Sequence, residues 1–295
     1  MALAPPRRYR ELLGELRELA AEHSLLELDE VGLSVAGEPI VCARVGADVG
    51  PAVMVIAGLH AMEHVGVCAA IELVRRALDG ACSWPGPLVV VPVCNPDGYL
   101  EVERGLSWRG GFWRHNRRGV DLNRNFAVGY AGVGSMARWW GAGDRGRAPL
   151  SEPETRTVHG LLARTRPTAF VSLHAFGNVI FTPSARSRRR PLGAERHRQI
   201  ATAMAVASGY RTAQLARYLP GFRAFGTELD HAHAHGALSF LVEIGAGPRP
   251  LSPSTWWPVY RWYTPPPAIL ERDRDRAVAA VEVLAAATTD SAAGR

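Results

Sequence analysis

A short apolar strand followed at once by a polar turn occupies residues 51–64, PAVMVIAGLHAMEH. The run 51–58 is apolar throughout rather than alternating, which predicts a strand that is buried on both faces. His60 and Glu63 follow this strand, and side chains three residues apart can converge on one ion from a tight turn or from the first turn of a helix. Zinc accepts both imidazole nitrogen and carboxylate oxygen as ligands. The pattern is short, and a surface turn with a capping glutamate fits the same residues.

A second arrangement uses the same residues differently. His60 to His64 match His-x-x-Glu-His, in which both histidines bind zinc and Glu63 is the base. That arrangement requires the five residues to lie in the middle of a helix. Here they lie between a strand and a helix, next to Gly58, which favours a loop.

Further strands and helices alternate along the chain. Buried strands are predicted at 87–94, 168–174 and 237–243, and amphipathic helices at 9–22, 64–79, 152–164, 194–207 and 267–287. Ser151 is predicted to cap the helix 152–164, with Glu154 completing a capping box. Apolar strands that alternate with helices favour one α/β domain, residues 1–287, with a mixed, mostly parallel twisted sheet sandwiched between helices. Residues 288–295 are predicted to be a disordered tail.

Composition and charge exclude several classes of function. The 295 residues carry a net charge of +6, and all 34 basic residues are arginine, scattered rather than clustered, so we expect no nucleic-acid partner. An apolar run of about 18 residues is missing, so we expect no membrane span. The four cysteines form no Cys-x-x-Cys pair, and a signal-peptide pattern is missing, so we expect a reducing, cytoplasmic location.

Polar motifs follow the predicted strands, and ligands bind at the carboxyl ends of the strands in such sheets. The motif NPDGY at 95–99 is by itself a turn signal. The motif DLNRNF at 121–126, preceded by Arg114, lies among Gly- and Arg-rich stretches at 104–119 and 129–149 that are typical of active-site loops. Arginine pairs bidentately with carboxylates, so this loop can bind one; a polar loop that satisfies its own hydrogen bonds fits as well.

Two single residues close buried strands. His174 ends the strand 168–174, where it can complete a His/Glu/His zinc site, although a lone histidine is more often structural. Glu243 ends the strand 237–243, where an unpaired carboxylate is costly. Burial raises the pKa of such a carboxyl toward that of a general base.

Seven segments in order resemble the zinc carboxypeptidases related to carboxypeptidases A and B. They extend from about residue 50 to residue 250 and read GLHAMEH, NPDGY, WR, DLNRNF, SEPET, SLHAFGN and LVEIG. The order makes a chance match implausible, and it disfavours the His-x-x-Glu-His arrangement, which has no use for the later segments.

The resemblance implies a role for each matching residue. It implies that one zinc ion is bound by His60, Glu63 and His174. It implies that Glu243 takes a proton from a zinc-activated water and passes it to the leaving amine. Arg114 would stabilise the oxyanion, and Asn123 with Arg124 would hold the terminal carboxylate of the substrate.

The sequence departs from this family in three places. Met62 stands where those enzymes often carry a substrate-binding arginine, Phe176 replaces a common tyrosine, and Tyr218 is the nearest match to their mobile substrate-binding tyrosine. Tyr218 opens an irregular segment, 218–236, in which Glu228, Asp230 or His231 could touch the leaving residue; an acid there would favour lysine or arginine. His231, His233 and His235 would share one side of an extended stretch, as a second metal site or as a cleft wall.

The leading hypothesis is a zinc metallocarboxypeptidase acting on a peptide, in a form that needs no activating cleavage. An amidohydrolase or deacylase of the same fold, acting on a small acylated amino acid, is the alternative. The Trp-rich stretch 253–263 could cover such a site or could simply pack against the protein. A non-catalytic binding module is a third hypothesis. It is disfavoured because the ligands, Glu243 and Arg114 are all present.

Overall fold

The computed structural model describes residues 7–82, 84–105, 113–132, 144–247 and 265–292, with side chains to residue 288. Within these residues the strands are β1 Leu26–Leu33, β2 Pro39–Val45, β3 Val53–Ala57, β4 Leu88–Val91, β5 Ala169–His174, β6 Val179–Thr182, β7 Arg211–Gln214 and β8 Leu238–Glu243. The helices are α1 Tyr9–Glu22, α2 His64–Leu78, α3 Pro96–Gly105, α4 Pro153–Thr165, α5 Ala194–Ser208, α6 Leu215–Tyr218, α7 Glu228–Ala234 and α8 Pro267–Ala292.

The strands form one mixed, eight-stranded sheet in the order β1-β2-β4-β3-β5-β8-β6-β7. The four central strands β4, β3, β5 and β8 are parallel. The flanking pairs β1–β2, β2–β4 and β6–β8 are antiparallel, and the edge pair β6–β7 is parallel. Because the central strands point the same way, the residues that follow them meet at one edge. The predicted single-domain α/β fold with a mixed sheet is confirmed.

Helices cover both faces of the sheet, and side chains alternate between two cores. In β3, Val53 and Val55 pack toward α1, α2, α5 and α8, whereas Met54 and Ile56 pack toward α4 and α7. Both sets are fully buried. This explains why the strand is apolar at every position instead of at every second one.

The sequence patterns locate the central elements and miss the outer ones. The predicted strands 51–58, 87–94, 168–174 and 237–243 each contain an observed strand. The outer strands β1, β2, β6 and β7 were not predicted, since β1 carries exposed polar residues and β7 is only four residues long. The motif NPDGY, predicted as a turn, begins helix α3.

The ends of two helices also differ from prediction. Glu152, not Ser151, is the N-cap residue of α4, and no side chain caps it there. Ser151 and Glu154 instead bond to other parts of the chain: Asn125 Nδ2 donates to Ser151 Oγ at 2.9 Å, and the backbone N–H of Val35 donates to Glu154 at 3.2 Å. Helix α8 continues to Ala292, so the first part of the predicted tail is helical.

Candidate metal centre

The first two candidate ligands come from the turn between β3 and α2. Glu63 is the N-cap residue of α2, and its backbone N–H donates to the carbonyl of His60 at 3.1 Å. The chain enters this turn through Gly58 at φ +62°, where a Cβ would lie 3.2 Å from the carbonyl oxygen of Pro92. Both the positive φ and the close contact favour glycine there, and His60 and Glu63 lie in a turn before α2, as the loop interpretation predicts.

His174 completes the group from the end of the neighbouring strand β5. Its Nδ1 lies 2.8 Å from Glu63 Oε2 and 3.1 Å from His60 Nδ1, and His60 Nδ1 lies 2.8 Å from Glu63 Oε1. All three side chains are buried. One carboxylate and two imidazole nitrogens thus converge on one point, as a zinc site with an open fourth position requires.

The charges of this group are strongly coupled. Burial opposes ionisation of Glu63, but His60 and His174 outweigh it and hold the pKa of the carboxyl well below its usual range. Burial likewise opposes protonation of His174, but Glu63 and Glu228 raise the pKa of that ring well above its usual value. The pocket therefore favours a carboxylate paired with positive charge, which is the electrostatic environment of a cation site.

Two outer carboxylates orient the histidine rings. Asp121 Oδ1 lies 3.2 Å from His60 Nε2, and Glu228 Oε1 lies 3.0 Å from His174 Nε2. Metal-binding histidines almost always donate their second N–H to such a partner, which fixes the ring and leaves the other nitrogen for the ion. Both rings present Nδ1 to Glu63, so the residues present fit a zinc ion.

His64 takes no part in this cluster. It is fully buried and stacks on Tyr99, with the ring centroids 4.5 Å apart and an interplanar angle of 14°. Burial lowers the pKa of His64 to about 3, so the ring is neutral. The arrangement with His60 and His64 as paired ligands is not formed, because His174 supplies the second imidazole.

Glu243 ends β8 directly beside His174, since the two residues are register partners in the parallel pair β5–β8. Burial, followed by the nearby Glu63 carboxylate, raises the pKa of Glu243 to about 8. Among the described residues, none hydrogen-bonds to its carboxyl group. A bound divalent cation would lower this pKa toward neutrality by Coulombic attraction.

Arg114 is linked to the cluster through Asp121. Its Nε donates to Asp121 Oδ2 at 2.9 Å, and the same Asp121 holds His60 through its other oxygen. The carboxylate is fully buried. Burial opposes its ionisation, but Arg114 first and then His60 hold the pKa of Asp121 well below its usual range. Asp121 therefore couples the guanidinium of Arg114 to a metal ligand.

Asn123 and Arg124 lie in the 3-10 helix Leu122–Arg124 that Asp121 caps. Asn123 Nδ2 donates to Glu228 Oε1 at 3.3 Å, and Arg124 Nη1 donates to the carbonyl of Asn123 at 2.6 Å. Burial lowers the pKa of Arg124, although nearby Asp121 opposes this. Among the described residues, no carboxylate lies within ion-pair distance of the Arg124 guanidinium.

Glu228 is placed by helix α7, in the segment that the sequence patterns left irregular. Gly226, at φ +64°, precedes the helix, and a Cβ there would lie 2.4 Å from the carbonyl oxygen of Arg124. Thr227 caps the helix by accepting from the backbone N–H of Asp230 at 3.3 Å. Close packing at a glycine therefore brings α7 against the Asn123–Arg124 turn.

The structure describes Tyr218, Met62 and Phe176, but only parts of the other predicted features. Tyr218 ends α6, where its ring contacts Phe181 at 4.9 Å and its hydroxyl accepts from Arg211 Nη2 at 3.3 Å. The structure does not join Tyr218 to the metal ligands, so its substrate role stays a prediction. Met62 is buried, and Phe176 packs against the core between the sheet and α8. The Trp-rich stretch 253–263 lies outside the described residues, as do large parts of the predicted loops 104–119 and 129–149.

The sequence patterns indicate no role for Asp121 and do not connect Glu228 with His174. Asp121 is the first residue of the motif DLNRNF, so the sequence places it near the site but does not indicate that it contacts His60. Glu228 is 54 residues from His174, and only the fold brings the two together.

The fold and this cluster place the chain in a class of proteins: α/β proteins with a His/Glu/His metal centre at the carboxyl edge of a mixed sheet. The family model described as zinc carboxypeptidase matches residues 12–247, and the chain belongs to that family. The family implies a zinc ion, in agreement with the ligand set.

Curated relatives and solved structures agree with this family. Mouse carboxypeptidase A6 is 30% identical over 181 residues, which cover 54% of this chain and 40% of the relative. Rat carboxypeptidase A2 is 24% identical over 261 residues, 79% of this chain and 61% of the relative. The chain thus spans about half the length of the curated relatives that it matches.

Solved structures show the fold over almost the whole chain. Bovine thrombin-activatable fibrinolysis inhibitor superposes with a TM-score of 0.83 at 21% identity, covering 97% of this chain and 98% of the other. Carboxypeptidase A from Helicoverpa armigera superposes with a TM-score of 0.81 at 23% identity, covering 98% of this chain and 75% of the other.

Proposed function

We propose that this protein is a metallocarboxypeptidase that hydrolyses the C-terminal peptide bond of a peptide. The observation that carries this proposal is Arg124, a half-buried guanidinium beside the metal centre that has no carboxylate partner among the described residues. A free C-terminal carboxylate would pair with it bidentately. An internal peptide bond has no such group, so the site selects the end of a chain.

The metal would be held by His60, Glu63 and His174. A bound zinc ion would supply Lewis-acid polarisation of the scissile carbonyl and activation of water. Asp121 and Glu228 keep the two imidazoles in the tautomer that offers Nδ1 to the ion.

Glu243 is the proposed general base and acid. It lies one strand away from His174, and its carboxyl group is free of hydrogen bonds to the described residues. Its raised pKa brings it into the range in which it can both accept a proton and return it to the leaving amine near neutral pH.

Arg114 is the proposed oxyanion-stabilising group. Its contact with Asp121 fixes the guanidinium next to His60, so positive charge is in place before the carbonyl oxygen becomes negative. Preorganised charge of this kind is usually the largest single contribution to such catalysis.

No contact among the described residues favours a small acylated amino acid as the substrate. The Trp-rich stretch 253–263, which could cover a site for such a substrate, lies outside the described residues. Against a binding module without activity, His60, Glu63 and His174 form one cluster, Glu243 lies beside His174, and Arg114 bonds to Asp121. The expected cytoplasmic location stays a prediction.

Replacement of the proposed carboxylate clamp tests this function. Arg124→Met should raise KM for a blocked peptide with a free C-terminus by roughly 10–150-fold, because a charge-assisted hydrogen bond contributes about 1.5–3 kcal/mol. Steady-state kinetics would measure the change, with bound zinc quantified in both proteins.

Arg117→Met is the matched control, since Arg117 is an exposed arginine that pairs with Glu101. It should leave KM unchanged. Equal KM values for wild type and Arg124→Met would show that Arg124 does not hold the terminal carboxylate.

A further inference from the structure

A second group of histidines lies between helices α4 and α7, outside the metal centre. His159 belongs to α4, His231 belongs to α7, and His235 is the C-cap residue of α7. One ligand nitrogen from each lies within 4.8 Å of the other two. We call these three residues the α4–α7 histidine cluster.

Helical spacing builds this cluster, in place of the extended stretch expected from the sequence. Residues four apart share a helix face, so His231 and His235 lie together, with ring centroids 4.5 Å apart. His233 turns to the opposite side and contacts His197, with centroids 5.0 Å apart. His159, which the sequence patterns did not single out, takes its place.

The hydrogen bonds of the cluster indicate which nitrogens can bind an ion. His235 Nδ1 lies 3.0 Å from the carbonyl oxygen of His231, so Nδ1 carries the proton and Nε2 keeps its lone pair. His159 Nδ1 and His231 Nε2 face each other at 3.0 Å. Three nitrogens from two helices therefore point into one small region.

The protonation state also suits metal binding. Burial, then His235 and His159, lower the pKa of His231 to about 3. Burial and His235 also lower the pKa of His159. Neutral imidazole is the form that binds metals.

Access to the cluster is open on one side. His231 is buried, with its ring 5.3 Å from that of Phe126, whereas His159 is half-buried and His235 is exposed. A solvated ion can reach the exposed side and keep water at its remaining positions.

We propose that His159, His231 and His235 form a second metal site, distinct from the His60/Glu63/His174 centre, which takes a divalent transition-metal ion of the Zn²⁺ type. All three ligands are imidazoles, which suit Zn²⁺, Cu²⁺ and Ni²⁺ and not the hard ions Mg²⁺ and Ca²⁺. The ion joins α4 to α7, the helix that also carries Glu228. It therefore braces the helix that orients the metal ligand His174.

The test is the zinc stoichiometry of the full chain. Protein stripped by a chelator is equilibrated with Zn²⁺ by dialysis, and bound zinc is measured by mass spectrometry. We expect two ions per wild-type chain and one per His159→Gln/His235→Gln chain. Each single variant should weaken binding of the second ion by at least about tenfold, the lower bound for loss of a group that supports a ligand.

Two further variants keep the result interpretable. His233→Gln is the matched control, from the same helix but the opposite side, and it should keep two ions. Glu63→Gln should lose the first ion and keep the second, with thermal unfolding still shifted upward by added Zn²⁺ because the ion binds only the folded chain. One ion per wild-type chain, or two ions in the His159→Gln/His235→Gln chain, would overturn the proposal, and neither result depends on peptidase activity.

Discussion

The two histidine clusters in the described part of the chain differ in their partners. At the His60/Glu63/His174 centre one ligand is a carboxylate, and two more carboxylates, Asp121 and Glu228, hold the histidine rings. In the α4–α7 histidine cluster the one backbone support is the carbonyl of His231, and no described carboxylate bonds to the rings. The His60/Glu63/His174 centre therefore offers negative charge to a cation, whereas the α4–α7 histidine cluster offers only the lone pairs of imidazole nitrogens.

The clusters also differ in how rigidly they are placed. The first is built on the ends of the central parallel strands, and all its ligands are buried. The second takes His231 from the seven-residue helix α7 and His235 from its C-cap position, and His235 is exposed. We infer that the first binds its ion more tightly, and that catalysis belongs to the first cluster alone.

The largest expected effect separates chemistry from metal binding. Glu243→Gln should lower kcat on the order of 10²–10⁴-fold, the usual contribution of a general base, while the zinc content stays unchanged. Single-turnover hydrolysis together with zinc analysis measures both. Glu101→Gln, at a surface residue that pairs with Arg104, is the control. Retained activity in the Glu243 variant would remove this residue from the mechanism.

A smaller effect is expected for an outer carboxylate. Asp121→Asn should weaken zinc binding at the first cluster by about 10–100-fold, and it should leave the second ion in place. Competition with a chromogenic chelator measures the two affinities separately. An unchanged affinity of the tighter ion would mean that Asp121 does not support His60 as a ligand partner.

The smallest effect on metal binding and activity is expected at His64, which belongs to neither cluster. His64→Phe should keep both ions and most activity, because the neutral ring packs on Tyr99. Its cost in unfolding free energy should be about 1–3 kcal/mol, because phenylalanine is larger than histidine and the site is fully buried. Denaturant unfolding and zinc analysis measure these quantities, and loss of one ion would restore His64 as a ligand.

The first cluster was predictable because its residues lie in local motifs at strand ends. His60 and Glu63 share one turn, and His174 and Glu243 close strands whose apolar runs are unmistakable. In a parallel sheet those ends meet, so the fold and the metal site follow together from the same patterns.

The second cluster and the helix caps were not predictable in this way. His159 is 72 residues from His231, and only the folding of α4 and α7 onto the same core brings them together. The short helix α7, bounded by Gly226 and Gly236, lacks the length that helical periodicity needs. At Ser151 a long-range bond from Asn125 replaced the expected local cap. In each case a tertiary contact decided the outcome.

The most direct test of the account uses one pair of blocked peptides that differ only in a free or an amidated C-terminus, incubated with the zinc-loaded wild-type chain. We expect release of the last residue from the free-carboxylate peptide, and a rate at least about tenfold lower for the amide, because the amide cannot pair with Arg124. Equal cleavage of both peptides, or cleavage of neither by the zinc-loaded chain, would contradict the assignment of this site as a carboxypeptidase.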